Sequence, residues 1–313
     1  MNELRRRLTR LARHAGRAGR AGGTFAFLTK DLRTGEAVGL RSEEAFPAAS
    51  TIKVPIMLAL LERVRRGEVA LSDTVALTAW HRTGGSGIFQ HFHEGLEVTL
   101  EDACTAMIVL SDNTATNMVL DATGIDRVNQ LLDQAGCHRT RLHRYLGKPD
   151  MSGPEGPSQA VPAELGRLME LIWRHEVLTP QLCRRALLFM RRQQHRALAP
   201  RLLPEGTALA HKTGSLDGVR HDFGLFWLAE REPPKPHRTR DVMALPADEL
   251  PSGEPVVFVA MSKGMPDLRW TVENRAEVTI ARAVRAAFDA YSASPPASSS
   301  SSSPPVTASR MEK

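Results

Sequence analysis

Aromatic residues make up only 5% of the 313 residues, cysteines number three, and no apolar window approaches the length of a bilayer span. Each scarcity excludes something. Few aromatics leave little to build a base-stacking surface, so no nucleic-acid partner is expected. Cys104, Cys137 and Cys183 are odd in number and lack metal-ligand spacing, so neither a disulfide framework nor a structural metal site is expected. Each lies in or beside a helix-like stretch, where cysteine is usually a small buried hydrophobe. Without an apolar window there is no transmembrane segment. The arginines at the start are followed by no apolar h-region, so the chain as written is expected in the cytoplasm, and in the periplasm or secreted only if its true start lies upstream.

The formal charge of +6 is not spread over the chain. Residues 1–20 hold seven arginines against the single acid Glu3, which accounts for all of it and leaves the remainder neutral. Leu4, Leu8 and Leu11 form a narrow apolar stripe on this basic arm. The stripe predicts a helix that docks on the following domain with its arginines solvated; attachment to a membrane surface or nucleic acid is the alternative. At the other end, residues 292–313 are a Ser/Pro tail with nothing to bury, predicted disordered.

Between these ends, residues 21–291 read as one domain. Strands are predicted at residues 24–29 and 37–40, and again at 207–215, 219–229 and 255–263, with a proline-rich connection over 230–254. Helices are predicted from Ser50 to near Gly67, over 100–110, 115–122, 126–135, 162–175, 180–194 and 272–291. Thr99 and Asp102 have the spacing of a capping box. Residues 70–98 and 137–161 read as irregular, the second a loop long enough to suggest function. The expected class is α/β (α+β): an antiparallel five-stranded sheet built from both chain ends and flanked by helices, with a helical part, about residues 51–205, inserted into it.

The chemistry centres on Ser50-Thr51-Ile52-Lys53. A hydroxyl and an amine at i and i+3 share a face if a helix starts here, and Pro55 is tolerated only near that start. The apolar run Val54–Leu61 predicts that the helix is buried. A desolvated lysine loses its proton readily and can then activate a serine. One Ser-x-x-Lys is expected by chance in about every chain of this length, so the reading needs further residues. Ser111-Asp112-Asn113, in a break between helices, and Lys212-Thr213-Gly214, on a predicted strand, supply them.

This ordered trio is the one found in class A β-lactamases and penicillin-binding proteins. Phe46–Lys53 resembles the nucleophile helix of that family, Met107–Asn117 the segment around its second serine, and His211–Ser215 with Val219–Asp222 its third motif and following strand. The resemblance spans about residues 20–290, apart from most of the insertion at 230–254. It implies a serine hydrolase that opens β-lactam rings through an acyl-enzyme on Ser50, with Lys53 as activator. Ser111 would relay a proton to the leaving nitrogen, and Asn113 would hold substrate and Lys53. Lys212, Thr213, Gly214 and Ser215 would bind substrate, with the backbone N–H groups of Ser50 and Ser215 as oxyanion hole. No metal or cofactor is implied, and the expected partner is a small β-lactam or related acyl substrate met by a monomer.

The pattern departs from class A in one place. Arg144-Tyr145 resembles the pair before the family's loop glutamate, but Leu146 follows, and a leucine takes no proton. Asp150 or Glu155 would serve only if the loop folds differently; otherwise one of them pairs with Arg144. Deacylation is therefore expected to be impaired. A D,D-peptidase or esterase-like hydrolase, or a non-hydrolytic β-lactam- or peptidoglycan-binding homologue, remains open. In some relatives a cysteine matching Cys104 is bridged to the nucleophile helix; Met57 stands there, so Cys104 should be free. His91-Phe92-His93-Glu94 lacks a third ligand, and Gly84–Gly87 is expected at the rim of the site; Trp80 or Phe89 could line the cleft there, though core packing is the commoner fate of such residues.

Overall fold

The computed structural model describes residues 1–16, 22–148, 156–231 and 249–293. In chain order these form α1 (Asn2–Gly16), β1 (Thr24–Asp31), β2 (Ala37–Leu40), β3 (Phe46–Pro47), α2 (Lys53–Arg65), β4 (Thr74–Ala76), β5 (Glu97–Thr99), α3 (Leu100–Val109) and α4 (Asn113–Thr123). They continue with α5 (Ile125–Gln134), β6 (Gln159–Ala160), α6 (Pro162–Trp173), α7 (Pro180–Arg191), β7 (Thr207–Leu216), β8 (Val219–Arg231), β9 (Val256–Lys263) and α8 (Arg275–Ser292).

The five long strands form one sheet in the order β2-β1-β9-β8-β7, antiparallel throughout. The ends of the chain therefore meet at the β1–β9 pairing. Strand periodicity divides the core: Val257, Val259 and Met261 of β9 join the cluster around α2 and α6, while Val256, Phe258 and Ala260 join that around α1 and α8. Helix α2 is the axis of the helical part, buried at every residue from Lys53 to Leu61. Pro55 sits in its first turn, where no intrahelical N–H is lost.

The basic arm docks as its leucine stripe predicts. Leu4 and Leu8 are buried in the cluster with Ile280 and Val284, Leu11 is partly buried beside them, and Arg6 and Arg10 face outward toward Glu3. Thr99 caps α3 by accepting from the Asp102 N–H at 3.0 Å, and its hydroxyl donates back to the Asp102 carboxylate at 2.6 Å.

Two expected irregular stretches contain short ladders. β4 pairs with β5, and β6 pairs with β3 just before Ser50. Pairings of two or three residues carry too little alternation to show in sequence. The predicted disordered tail beyond residue 293, and residues 232–248 of the predicted connection, lie outside the described residues.

Because Leu8 is fully buried, Leu8→Ala should lower the unfolding free energy by about 2–5 kcal/mol. Arg6→Ala, on the solvated face, should change it by less than about 0.5 kcal/mol. Urea denaturation of both variants checks the docking of α1.

Candidate active site

Ser50 lies in a tight turn, Ala49–Ile52, immediately ahead of α2. Ala49 holds a left-handed φ of 45°, a conformation that costs roughly 1–3 kcal/mol in a non-glycine residue. Its surroundings fix it in place: the Ala48 N–H donates to Ser158 O at 2.9 Å, and the Thr51 hydroxyl donates to Ala48 O at 2.6 Å. From the other side β7 passes so close that a Cβ on Gly214 would stand 3.1 Å from Ser50 N and 3.2 Å from Ala49 Cβ. Glycine is thus what lets β7 run against the nucleophile turn. Ser50 and Ser215 both line a cleft of about 610 Å³, with Asn113, Gly84, Gly85 and Leu146.

Behind this floor two lysines converge on one hydroxyl. Lys53, at the start of α2, is buried; its ammonium donates to Ser111 O at 2.6 Å, Ser111 Oγ at 3.2 Å and Asn113 Oδ1 at 2.7 Å. Lys212, on β7, is also buried and donates to Ser111 Oγ at 3.0 Å and Thr213 O at 2.9 Å. Neither amine has a carboxylate within ion-pair distance among the described residues. Burial and the charge of Lys212 hold Lys53 well below the ordinary lysine range, against a smaller opposing pull from Asp112. Burial likewise brings Lys212 down to about 7, with Asp222 opposing. Two unpaired ammonium groups sharing one acceptor in a dry interior repel each other, so a neutral amine is available near neutral pH.

The three donors of Lys53 go to Ser111 and Asn113, and among the described residues no hydrogen bond joins Lys53 to Ser50 Oγ. Ser50 lies in the tight turn and Lys53 opens the helix proper, and the Lys53 N–H donates back to Ser50 O, so the i, i+3 relation runs across the junction. Hydrogen bonds in substrate-free sites are often incomplete and tighten when the substrate arrives.

Ser111 itself has a left-handed φ of 57°. Asp112 secures the bend: its Oδ1 caps α4 by accepting from the Ala115 N–H at 2.9 Å, and its Oδ2 accepts from the N–H groups of Ile88 and Phe89 at 2.6 and 2.8 Å. Gly87, at φ 104°, packs where any Cβ would overlap the Asp112 carboxyl carbon at 2.2 Å. Asn113 completes the link, donating its side-chain N–H to Gly84 O at 2.9 Å and its backbone N–H to Ser86 O at 3.0 Å. The glycine-rich segment is therefore the rim of the cleft, as its composition suggests.

Leu146 enters the same cleft. The Asn117 amide brackets it, accepting from the Leu146 N–H at 2.9 Å and donating to Leu146 O at 3.0 Å. Among the described residues the one carboxylate lining the cleft is Asp217, whose Oδ1 accepts from Trp270 Nε1 at 3.2 Å. Asp150 and Glu155 lie outside the described residues. Among those described, no group of three or more His, Cys, Asp or Glu is placed to hold a metal ion.

Trp80 and Phe89 do not line the cleft. Trp80 packs against Tyr145, ring centroids 5.2 Å apart, and Phe89 is buried with Leu77, Ala106 and Met118. Two aromatic residues among those described do line it, Tyr145 and Trp270; Trp270 was not visible in the sequence pattern, nor were the pinning roles of Asp112 and Asn117. Acids and amides beside a helix start were the available signal for the last two.

Comparison with known proteins places this geometry. The profile described as the Beta-lactamase enzyme family matches residues 3–233. A β-lactamase of Streptomyces fradiae is 31% identical over 227 residues, covering 67% of this chain and 70% of its own. The crystal structure of a β-lactamase from Sphaerobacter thermophilus is 30% identical, with a TM-score of 0.76 over 92% of this chain and 98% of that one. A mutant of PBP-A carrying a leucine-to-glutamate change, solved as its acyl-enzyme complex with penicillin G, is 26% identical, with a TM-score of 0.75 over 93% and 97% of the two chains. With the matching profile covering well over half the sequence and the five-stranded antiparallel fold shared, this chain belongs to the β-lactamase enzyme family of serine hydrolases.

Proposed function

We propose that the protein opens β-lactam rings by acyl transfer to Ser50 and releases the product slowly. The observation that carries this reading is the convergence of two buried lysines on Ser111 Oγ, with Asn113 joining that pair to the cleft that holds Ser50. In the forward step the Ser50 hydroxyl gives its proton to neutral Lys53 while Oγ attacks the lactam carbonyl carbon. The oxygen charge that develops is met by the backbone N–H groups of Ser50 and Ser215. The C–N bond breaks, the nitrogen takes the Ser111 proton, and Lys53 restores that proton through its contact with Ser111 Oγ. The substrate carboxylate is held by the hydroxyls of Ser111 and Thr213, with the Lys212 charge behind them and Gly214 leaving room for the strand to approach. A relative of the same fold, the PBP-A mutant, is described as an acyl-enzyme complex with penicillin G.

Deacylation needs a base that activates water, and Leu146 offers none in the cleft. This supports a long-lived ester on Ser50, closer to a penicillin-binding protein than to an efficient lactamase. A D,D-peptidase or esterase activity belongs to the same chemistry and would appear as faster turnover of peptide or ester substrates.

Intact-protein mass spectrometry after addition of penicillin G should show a persistent adduct of one penicillin mass, absent from Ser50→Ala. Lys53→Met should slow its formation by about 10²–10⁴-fold, the range of a lost general base. Leu146→Glu should shorten its lifetime by about 10²-fold or more. Rapid return of the wild-type protein to its free mass would contradict slow release, and an adduct in the alanine variant would contradict Ser50 as nucleophile.

The pH dependence follows from opposite needs. Lys53 acts when neutral, so acylation rises with pH through its depressed value; Lys212 acts when charged, so efficiency falls as pH rises through about 7. The profile of acylation efficiency should be bell-shaped. Lys212→Arg, which stays charged, should remove the alkaline limb; a limb that persists in that variant would assign it to another group.

A further inference from the structure

We propose that Trp270 is a stacking wall for an aryl side group on the acyl half of the substrate, an assignment that rests on the acyl-transfer reading above. Its indole is 65% exposed, the most exposed large apolar side chain among the described residues. Yet its orientation is fixed on two sides. The guanidinium carbon of Arg220 lies 4.4 Å from the ring centroid, and the ring N–H donates to Asp217 Oδ1 at 3.2 Å. Arg220 is buried and held in turn: it donates to Glu277 Oε1 at 2.9 Å, Leu216 O at 2.7 Å and Arg269 O at 3.0 Å. An arginine clamped in this way gives the indole a rigid backing on one face. The ring also forms part of the cleft wall that includes Ser50, Ser215 and Leu216.

Core packing does not account for a tryptophan so exposed and so firmly placed, whereas a flat partner in the cleft does. Aromatic rings stack in offset or edge-on pairs and bury large apolar areas when they meet.

The position of Trp270 along β7 tells which end of the substrate it meets. From Lys212 the strand passes Ser215 at the proposed oxyanion site and reaches Leu216, about 13 Å further on at roughly 3.3 Å per residue. The next residue, Asp217, holds the indole. The carboxylate site and Trp270 therefore stand at opposite ends of the proposed reaction centre. In a penicillin the carboxylate is on the ring fused to the lactam and the variable side group is at the other end, so it is this side group that reaches Trp270.

Second-order rates of Ser50 acylation, followed by intact mass, test the assignment with two probes. Penicillin G carries a benzyl side group; aminopenicillanic acid has the same bicycle and carboxylate with a bare amine in its place. Trp270→Ala should lower the ratio of the two rates about tenfold, and Trp270→Phe, which keeps a flat ring, should hold it within about threefold of wild type. Trp270→Leu, apolar but not flat, gives the same comparison if the alanine variant does not fold. An unchanged ratio in the alanine or leucine variant overturns the assignment, including the case in which both rates fall together because the indole merely props Arg220. Absence of an adduct from either probe in the wild-type protein contradicts acyl transfer itself, and the stacking role with it.

Discussion

Two buried amines sharing one serine hydroxyl set the terms for the rest of this molecule. Among the described residues, Lys53 and Lys212 stand on either side of Ser111 Oγ without a carboxylate in hydrogen-bond reach of either. Removing an ammonium group from water is costly unless it is paired or gives up its proton. The fold keeps the lysines where they are with hydroxyls, carbonyls and one amide, all of which accept from a lysine and none of which neutralises its charge. That electrostatic cost is what holds both lysines below the ordinary lysine range, Lys212 at about 7.

Three separate elements must be in register for this to hold. Helix α2 brings Lys53 and is buried on all sides, the α3–α4 break brings Ser111, and strand β7 brings Lys212. The first two turns of α4 tie the rims of the cleft to the same frame. Asp112 and Asn113 hold the segment from Gly84 to Phe89, Thr114 exchanges hydrogen bonds with the backbone of Thr83, and Asn117 brackets Leu146. Displacing the start of α4 would therefore disturb the lysines and both cleft walls at once. The left-handed backbone at Ala49 and Ser111 places local strain just before Ser50 and at Ser111, where the surrounding hydrogen bonds sustain it.

Much of this was legible beforehand, for physical reasons that differ by residue. Ser50, Lys53, Ser111 and Lys212 stand out because Ser-x-x-Lys, Ser-Asp-Asn and Lys-Thr-Gly occur in the order that resembles class A β-lactamases and penicillin-binding proteins, where each motif alone would be weak. The leucine stripe of α1 and the capping box at Thr99 are periodic or fixed-spacing signals and appear as such in the structure. The five-stranded sheet follows from apolar runs at both chain ends. Short ladders such as β3–β6 were not legible because their pairing depends on tertiary contact rather than alternation. The roles of Asp112, Asn117 and Trp270 were hidden for the same reason: an Asp, an Asn or a Trp is an ordinary residue until the distant backbone or guanidinium it contacts is in place. Trp80 and Phe89 illustrate the converse, nearby aromatics that pack rather than line the cleft.

The account stands on the protonation of the two lysines more than on any other feature. NMR titration of the substrate-free protein with isotope-labelled lysine side chains, assigned with Lys53→Met and Lys212→Met, measures it directly. The account predicts two lysine signals that titrate well below the ordinary 10.5, that of Lys212 near 7, each missing from its own variant. Titration of every lysine near 10.5 would contradict it, because neither amine would then be neutral when Ser50 must lose its proton.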